Sequence, residues 1–294
     1  MIVKRVAGGP IIQAGKDPRI GDNVNGPSLI RAPEWVARPL GRYYLYFAHH
    51  KGDHIRMAYS DSLSGPWRLW EPGVLALEAS FCERHIASPD VQVDRESRQV
   101  RMYYHGPTAG EQKSRVGLSG DGIRFVARPE ILGDSYFRVF RWRGFHYALA
   151  MPGIMYRSRD GLCAFERGPT LFTEHMRHSA VRVAGDVLEV FYTNVGDCPE
   201  RILLSRIDLR PDWWQWRAER PVTVLEPETH YEGAHLPLEP SVRGWAPRPV
   251  RQLRDPALFE EDGRLFLLYS VAGESGIAIA ELVGAISDVA SPAR

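Results

Sequence analysis

The chain repeats one pattern of strand-like segments five times along its 294 residues. In each copy, a turn leads into a short run rich in Tyr and apolar residues, and a second strand-like run follows. The first runs are 43–47, 100–104, 145–149, 188–192 and 265–269, and their partners are 55–60, 115–119, 154–158, 201–205 and 276–280. Internal repetition of strands at this spacing predicts an all-β, five-bladed β-propeller. Because each blade brings a loop to the central axis, we expect function at the mouth of that axis.

The turn residues between the runs set the expected blade boundaries. We predict one propeller domain over 1–294, with blades at 22–70, 85–127, 133–168, 176–218 and 250–285. The segment 2–14 is expected to add a strand that closes the ring, because an open sheet edge promotes aggregation. The Pro-rich stretch 225–250 is longer than a link between blades requires, which favours a functional loop. No amphipathic helix of ordinary length is expected.

The net charge, the cysteine count and the lack of long apolar runs limit the binding partners and the cellular location that we expect. A net charge of +1 provides no overall field for nucleic acid or an anionic membrane. Three cysteines, an odd number and widely spaced, argue against a disulfide framework or a zinc knuckle. No apolar run approaches the ~20 residues that span a bilayer, and the first residues lack the apolar core of a signal peptide. We therefore expect a cytoplasmic protein, and the sequence leaves its oligomeric state open.

The innermost strand of each blade is expected just before the Tyr-rich run. In every blade this segment starts with polar residues and becomes apolar, as in Asp255-Pro256-Ala257-Leu258. The polar start is expected at the axial mouth and the apolar end in the blade core. This pattern predicts that five residues far apart in sequence converge on the axis: Asn25, Asp90, Arg138, His178 and Asp255.

Three short motifs carry a resemblance to a known superfamily. Arg254-Asp255-Pro256, Ser88-Pro89-Asp90 and Ser64-Gly65-Pro66-Trp67 resemble blade motifs of five-bladed propeller glycoside hydrolases, such as families 43, 117, 32 and 130. The resemblance implies a glycosidase that acts on an oligosaccharide or related glycoside in the axial pocket, without a cofactor or a metal ion.

The resemblance also implies roles for carboxylates. Inverting members use an acid and a base that are roughly 6.5–9.5 Å apart. Asp90 matches the orienting Asp of family 43, and Glu232-Gly233 resembles the motif of its general acid, with Glu239 in reserve. The catalytic set implied here is Asp90, Asp255 and Glu232, with Asp255 or Asp90 as base.

One departure from family 43 concerns the first blade. Asn25 stands near the position of the family's catalytic base, and an amide cannot accept the proton. Asp22 or Glu34 is a possible substitute. The departure also favours an alternative, a propeller that binds carbohydrate without cleaving it.

Histidines and arginines complete the expected site. The resemblance to family 117, which uses a histidine as acid, implies this role for His85 or His178, although binding to sugar hydroxyls or blade carbonyls is the simpler interpretation. A metal site at these two residues lacks a tight spacing motif. Four arginines at or next to axial positions suit an anionic ligand: Arg84, Arg138, Arg177 and Arg254. If that ligand is phosphate, the protein would be a phosphorylase. The alternative is that each arginine pairs with a neighbouring carboxylate. Glu200 and Asp197 are interpreted as turn residues, and Trp213, Trp214 and Trp216 as packing. The predicted substrate-binding set is Asn25, His49, His50, Arg84, His85, Arg138, His178 and Arg254.

Overall fold

The computed structural model describes residues 1–6 and 8–284, and these form five antiparallel sheets. The predicted five-bladed β-propeller is confirmed. The first two strands, β1 (Ile2–Arg5) and β2 (Ile12–Gln13), belong to blade 5. Blade 1 contains β3 (Asn25–Arg31), β4 (Tyr43–Ala48), β5 (His54–Ser60) and β6 (Arg68–Ala76).

The remaining blades follow in chain order. Blade 2 contains β7 (Ala87–Asp94), β8 (Gln99–Thr108), β9 (Glu111–Ser119), β10 (Val126–Ala127) and β11 (Gly133–Asp134). Blade 3 contains β12 (Arg138–Trp142), β13 (Phe145–Ala150), β14 (Ile154–Ser158) and β15 (Glu166–Thr170). Blade 4 contains β16 (Met176–Ala184), β17 (Val187–Asn194), β18 (Ile202–Asp208) and β19 (Val222–Leu225). Blade 5 contains β20 (Arg254–Glu261), β21 (Arg264–Val271) and β22 (Gly276–Val283).

The second strand of each blade explains the Tyr-rich runs. All six residues of β4 are buried, and so are seven of the eight residues of β21. A strand that has neighbouring sheets on both faces needs apolar side chains at every position rather than at alternate ones. The outer strands β6 and β15 have more exposed positions, so burial decreases from the inside of each blade to its rim.

The N-terminal segment closes the ring, as predicted. Strand β1 pairs antiparallel with β22, with Ile2 opposite Val283, and β2 pairs with the other end of β22. The predicted blade limits are too short at the outer edge, since β6 extends to Ala76 and β19 to Leu225. The helical elements of the described chain are three short 3₁₀ turns, at Leu77–Ala79, Trp213–Gln215 and His230–Glu232. No helix within the described residues has the length and hydrophobicity to cross a membrane.

The start of each innermost strand has a distinctive backbone. In four blades the pairing with the second strand shifts register there, which marks a β-bulge. A residue at this position has a positive φ angle in all five blades: Gly26, Ser88, Tyr136, His178 and Asp255. These five residues occupy equivalent places at the mouth of the axis.

Gly26 is required at its bulge by space as well as by φ. A Cβ atom there would lie 2.7 Å from Cα of Ser88, a backbone atom that cannot move aside alone. Overpacking of this kind costs about 1–3 kcal/mol. We expect Gly26→Ala to lower the free energy of unfolding by that amount beyond the loss in Gly263→Ala. Gly263 also has a positive φ, but nothing lies within 4 Å of its Cβ position. Equal losses in chemical denaturation would contradict the steric argument.

Candidate active site

A cavity of about 330 Å³ opens at the mouth of the axis. Its lining includes the bulge residues of four blades, Ser88, Tyr136, His178 and Asp255. The other lining residues are Asn25, His50, His85, Ala87, His105, Gln112, Ser135, Met151, Arg177, Arg243 and Gly244. The cavity therefore combines one lining carboxylate among the described residues with several imidazoles and neutral hydrogen-bonding groups.

Asp255 is the buried carboxylate of this cavity. The phenol of Tyr136 donates a hydrogen bond to Oδ1 over 2.8 Å, and the hydroxyl of Ser270 donates one to Oδ2 over 3.3 Å. Nε2 of His178 lies 3.7 Å from Oδ1. Burial, followed by the negative charge of Glu274, raises the pKa of Asp255 above its ordinary value. Such a group is a stronger base than an exposed aspartate.

Glu274 lies behind the cavity wall in the turn between β21 and β22. Its Oε2 accepts from the amide of Asn23 and, over 3.3 Å, from the amide of Asn25, and it lies 3.6 Å from Nδ1 of His50. Burial alone would raise the pKa of Glu274, but His50, Asn23 and Arg254 outweigh it and lower the pKa to about 2. Glu274 is therefore ionised, and its charge lies beside one ring nitrogen of His50.

Arg177 and Arg254 form buried ion pairs rather than an open cationic site. Arg177 donates to both carboxylate oxygens of Glu200, over 2.9 and 2.5 Å. Nε of Arg254 lies 3.2 Å from Glu200, and its Nη1 donates to Glu274 over 3.0 Å. Both arginines also donate to the carbonyl of Gly244. Glu200, expected at a simple turn, is instead completely buried beneath the cavity.

The other histidines of the cavity favour the neutral form. Burial, together with the charges of Arg177 and Arg254, holds the pKa of His178 well below its ordinary value. Burial lowers the pKa of His105 to about 3, and burial also lowers the pKa of His85. Nδ1 of His105 and Oδ1 of Asn25 are buried without a hydrogen-bond partner among the described residues. These neutral groups suit contacts with sugar hydroxyls.

The structure brings together only part of the predicted axial set. Asn25, His178 and Asp255 line the cavity at the mouth. Asp90 and Arg138 line a second cavity of about 150 Å³, which is bordered by the inner strands of all five blades. Asp90 accepts from the backbone N–H of Val139 over 2.9 Å, and burial raises its pKa. Both residues are thus axial, but they lie further along the inner strands than the mouth.

Glu232 lies away from the cavity lining. Its carboxylate accepts two hydrogen bonds from Arg5, over 2.8 and 2.9 Å, one from the phenol of Tyr269, and two from the backbone N–H groups of Glu228 and Thr229. Burial opposes ionisation, but these donors outweigh it and lower the pKa of Glu232. A saturated, ionised carboxylate joins the N-terminal strand to the long loop here, and it has no proton to donate.

The remaining predicted residues divide between the cavity and its surroundings. His50 and His85 line the cavity, whereas Nε2 of His49 pairs with Asp22 over 2.9 Å outside it. Arg84 is exposed next to His85, and its charge contributes to the lowered pKa of that histidine after burial. Within the described residues, no group of three or more His, Cys, Asp or Glu side chains is arranged to hold a metal ion.

The long loop supplies residues that the sequence analysis did not single out. Arg243 and Gly244 line the cavity, and the ammonium of Lys51 lies 4.2 Å from the ring centroid of Trp245. The backbone N–H of Ala246 donates to Glu274 over 3.3 Å. The long loop therefore lies at the entrance of the cavity, and the charged loop residue that lines the cavity there is Arg243 rather than Glu232. Trp213 and Trp216 pack in the hydrophobic core, as expected, whereas Trp214 is exposed.

Solved structures of glycoside hydrolases share this architecture. The GH43_1 enzyme from Xanthomonas citri is 14% identical, with a TM-score of 0.63 over 94% of this chain and 90% of the other. A structure titled "The GH130 family of mannoside phosphorylases contains glycoside hydrolases that target beta-1,2 mannosidic linkages in Candida mannan" is 9% identical, with a TM-score of 0.70 over 99% and 96%. The protein thus has the five-bladed propeller fold of glycoside hydrolases.

Sequence comparison gives a narrower relationship. No family model matches the chain. The uncharacterized protein R118 of Acanthamoeba polyphaga mimivirus is 37% identical over an alignment of 297 positions, which covers 88% of this chain and 83% of the viral protein. The chain belongs to the same family as R118.

Proposed function

We propose that the protein hydrolyses a glycosidic bond in the axial cavity by a single-displacement, inverting reaction. The observation that carries the proposal is Asp255, a buried carboxylate with a raised pKa that faces the cavity from a left-handed bulge. Tyr136 and Ser270 both donate to it, so its oxygens are oriented as acceptors. In this role Asp255 takes a proton from the water that attacks the anomeric carbon.

His50 is the proposed general acid. It lines the cavity, and the ionised Glu274 lies at its Nδ1, which leaves Nε2 as the nitrogen available to the substrate. The lowered pKa values of His85, His105 and His178 make those rings poor proton donors near neutral pH. As the bond between the anomeric carbon and the leaving oxygen breaks, His50 donates a proton to that oxygen.

Hydrolysis is favoured over phosphorolysis by the arginine pairs. A phosphorylase needs cationic side chains that are free to bind phosphate next to the bond that is cleaved, in the inner layer of the cavity rather than at its entrance. Arg177 and Arg254, which line or underlie the cavity, are already neutralised by Glu200 and Glu274. We therefore expect phosphate to leave turnover unchanged.

A substrate screen tests the proposal. Glycosides and oligosaccharides are incubated with and without phosphate, and the anomeric form of the product is followed by proton NMR. We expect phosphate-independent cleavage with inversion of the anomeric configuration. Strict dependence on phosphate would indicate a phosphorylase. Saturable binding of sugars without cleavage would indicate a carbohydrate-binding propeller, and either outcome would reject the hydrolase.

Replacement of His50 gives a second prediction. We expect His50→Gln to lower kcat about 10²-fold or more for substrates with an alkyl or sugar leaving group, because their leaving oxygen needs a proton. Aryl glycosides with acidic phenols should lose little, since their leaving groups depart as anions. His49→Gln is the matched control, because His49 is adjacent in sequence but pairs with Asp22 outside the cavity. A uniform loss across all leaving groups would remove His50 from the acid role.

A further inference from the structure

Three cationic side chains at the entrance of the cavity form no ion pair among the described residues. Arg243 lines the cavity, and Lys51 and Arg84 directly follow or precede the lining residues His50 and His85. All three cationic side chains belong to exposed residues. Among the described residues, no carboxylate lies within 4.0 Å of any of the three cationic groups. The entrance therefore differs from the deeper layer, where Arg177 and Arg254 are paired.

Arg243 is held so that its charge remains available. One guanidinium nitrogen, Nη2, donates to the backbone carbonyl of Glu174 over 2.7 Å. A carbonyl oxygen orients the guanidinium without neutralising it. The carboxylate of Glu174 instead lies 3.6 Å from His175. The other N–H groups of Arg243 make no hydrogen bond within the described residues, so they are available to a ligand.

Residues near Arg243 keep it at the entrance. Gly244 has a φ of 97°, and its carbonyl accepts from the buried Arg177 and Arg254. Trp245 lies against the ammonium of Lys51. The loop is thus joined to the core on one side and to blade 1 on the other, which reduces the entropy that Arg243 would lose on binding.

We propose that the substrate is a saccharide that carries an anionic group, either a carboxylate or a sulfate, and that Arg243 binds this group at the entrance. The inference deepens the proposed function and rests on it for the saccharide class. Asp255 does not oppose it, because that carboxylate is buried and accepts hydrogen bonds from Tyr136 and Ser270, while Arg243 is exposed. A guanidinium suits either oxyanion, because its planar fork can donate two parallel hydrogen bonds.

Binding of matched sugar pairs tests the inference. Methyl glucuronide and methyl galacturonide are compared with the corresponding methyl glucoside and galactoside, and 6-sulfated glucose and galactose form a second arm. Isothermal titration calorimetry gives each Kd at low and high ionic strength. We expect at least one anionic sugar to bind about tenfold more tightly than its neutral partner at low salt, and less so at high salt.

Two arginine variants assign the preference to its residue. Arg243→Gln should abolish the tenfold difference and leave the neutral sugar unaffected. Arg248→Gln is the matched control, because Arg248 is an exposed arginine of the same loop that pairs with Glu239 over 2.8 Å. The inference is overturned if no anionic sugar binds, if neutral sugars bind equally well, or if Arg243→Gln retains the preference.

The outcomes separate this inference from the proposed function. Cleavage of a neutral sugar with no charge preference would reject the anionic substrate and keep the hydrolase. A charge preference that depends on Arg243, without cleavage of any bound sugar, would reject the hydrolase and keep the anionic ligand.

Discussion

Asp255→Asn is expected to abolish most of the turnover on a cleaved glycoside, with a decrease in kcat of about 10³-fold. The amide has nearly the same shape as the carboxylate, but it cannot accept the proton of the attacking water. The fold should tolerate the change, because Asn is among the residues that most readily adopt a positive φ, here 47°. The expected defect is therefore in kcat rather than in substrate affinity.

The stability of the same variant provides the control for misfolding. Burial raises the pKa of Asp255, so the folded state favours its protonated form. The stability contribution of this carboxyl is greatest below its unfolded pKa and is lost as the pH rises through the folded pKa. At neutral pH the ionised side chain thus opposes folding, and Asp255→Asn should unfold at the same or a higher temperature. A much lower unfolding temperature in an inactive Asp255→Asn variant would contradict this prediction. The loss of activity could then not be attributed to loss of the general base.

The pH profile of the wild-type enzyme adds an independent measurement. A base acts only when ionised, so kcat/KM should fall as the pH drops through the raised pKa of Asp255. The acidic limb should lie above the ordinary range of an aspartate. Asp90→Asn should retain this limb, because Asp90 lines the other cavity. Loss of the limb in Asp90→Asn instead would assign the base to the deeper cavity.

Glu200→Gln is expected to produce the largest loss of stability, about 3–5 kcal/mol in the free energy of unfolding. Glu200 has no exposed surface, and it neutralises Arg177 and contacts Arg254. Glutamine would leave a buried positive charge with only one carboxylate, Glu274, to balance two guanidinium groups. Removal of one partner of a buried pair costs far more than removal of an exposed one.

Chemical denaturation with a matched variant measures this effect. Glu239→Gln also removes a carboxylate that pairs with an arginine, but that pair is at the surface, and its loss should cost at most about 1 kcal/mol. The slope of the unfolding free energy against denaturant should be similar in both variants. Similar small losses for Glu200→Gln and Glu239→Gln would show that the buried network does not stabilise the fold.

The fold was predictable because its signal is repeated. Five Tyr-rich runs become the second strands, and most residues of these strands are buried, so that Tyr and apolar side chains dominate the pattern. The ring closure by β1 was predictable from the cost of an open edge. Outer strands such as β19 were not, because they are exposed and weakly patterned.

Site residues were predictable only where the local sequence determines which side chain stands at the mouth of the axis. His178 and Asp255 stand at the bulges, and both were identified. Residue type alone makes Asp90 the equivalent of Asp255. The prolines indicate a different alignment of the two blades: if Pro89 is matched with Pro256, Ser88 becomes the equivalent of Asp255. The structure has Ser88 at the mouth, in agreement with the second alignment. The prolines after these bulges were the available signal.

Other site residues depend on contacts between distant segments. Glu274 lies in a turn of blade 5, yet it contacts Asn23, Asn25 and His50 of blade 1. The Glu-Gly motif predicts that Glu232 is the general acid. Its carboxylate is instead bound by Arg5, which is 227 positions away in the sequence. No local pattern distinguishes a carboxylate that faces a cavity from one that is saturated by a distant arginine.

A residue with a positive φ recurs at the start of the innermost strand in every blade, so the ring offers five equivalent sockets around one opening. The chemical group in a socket can change while the sheet behind it keeps its pairing. The present occupants are a glycine, a serine, a tyrosine, a histidine and an aspartate. In the four blades other than blade 1, a carboxylate could therefore move from one socket to another during divergence by two point substitutions, without any rearrangement of the backbone.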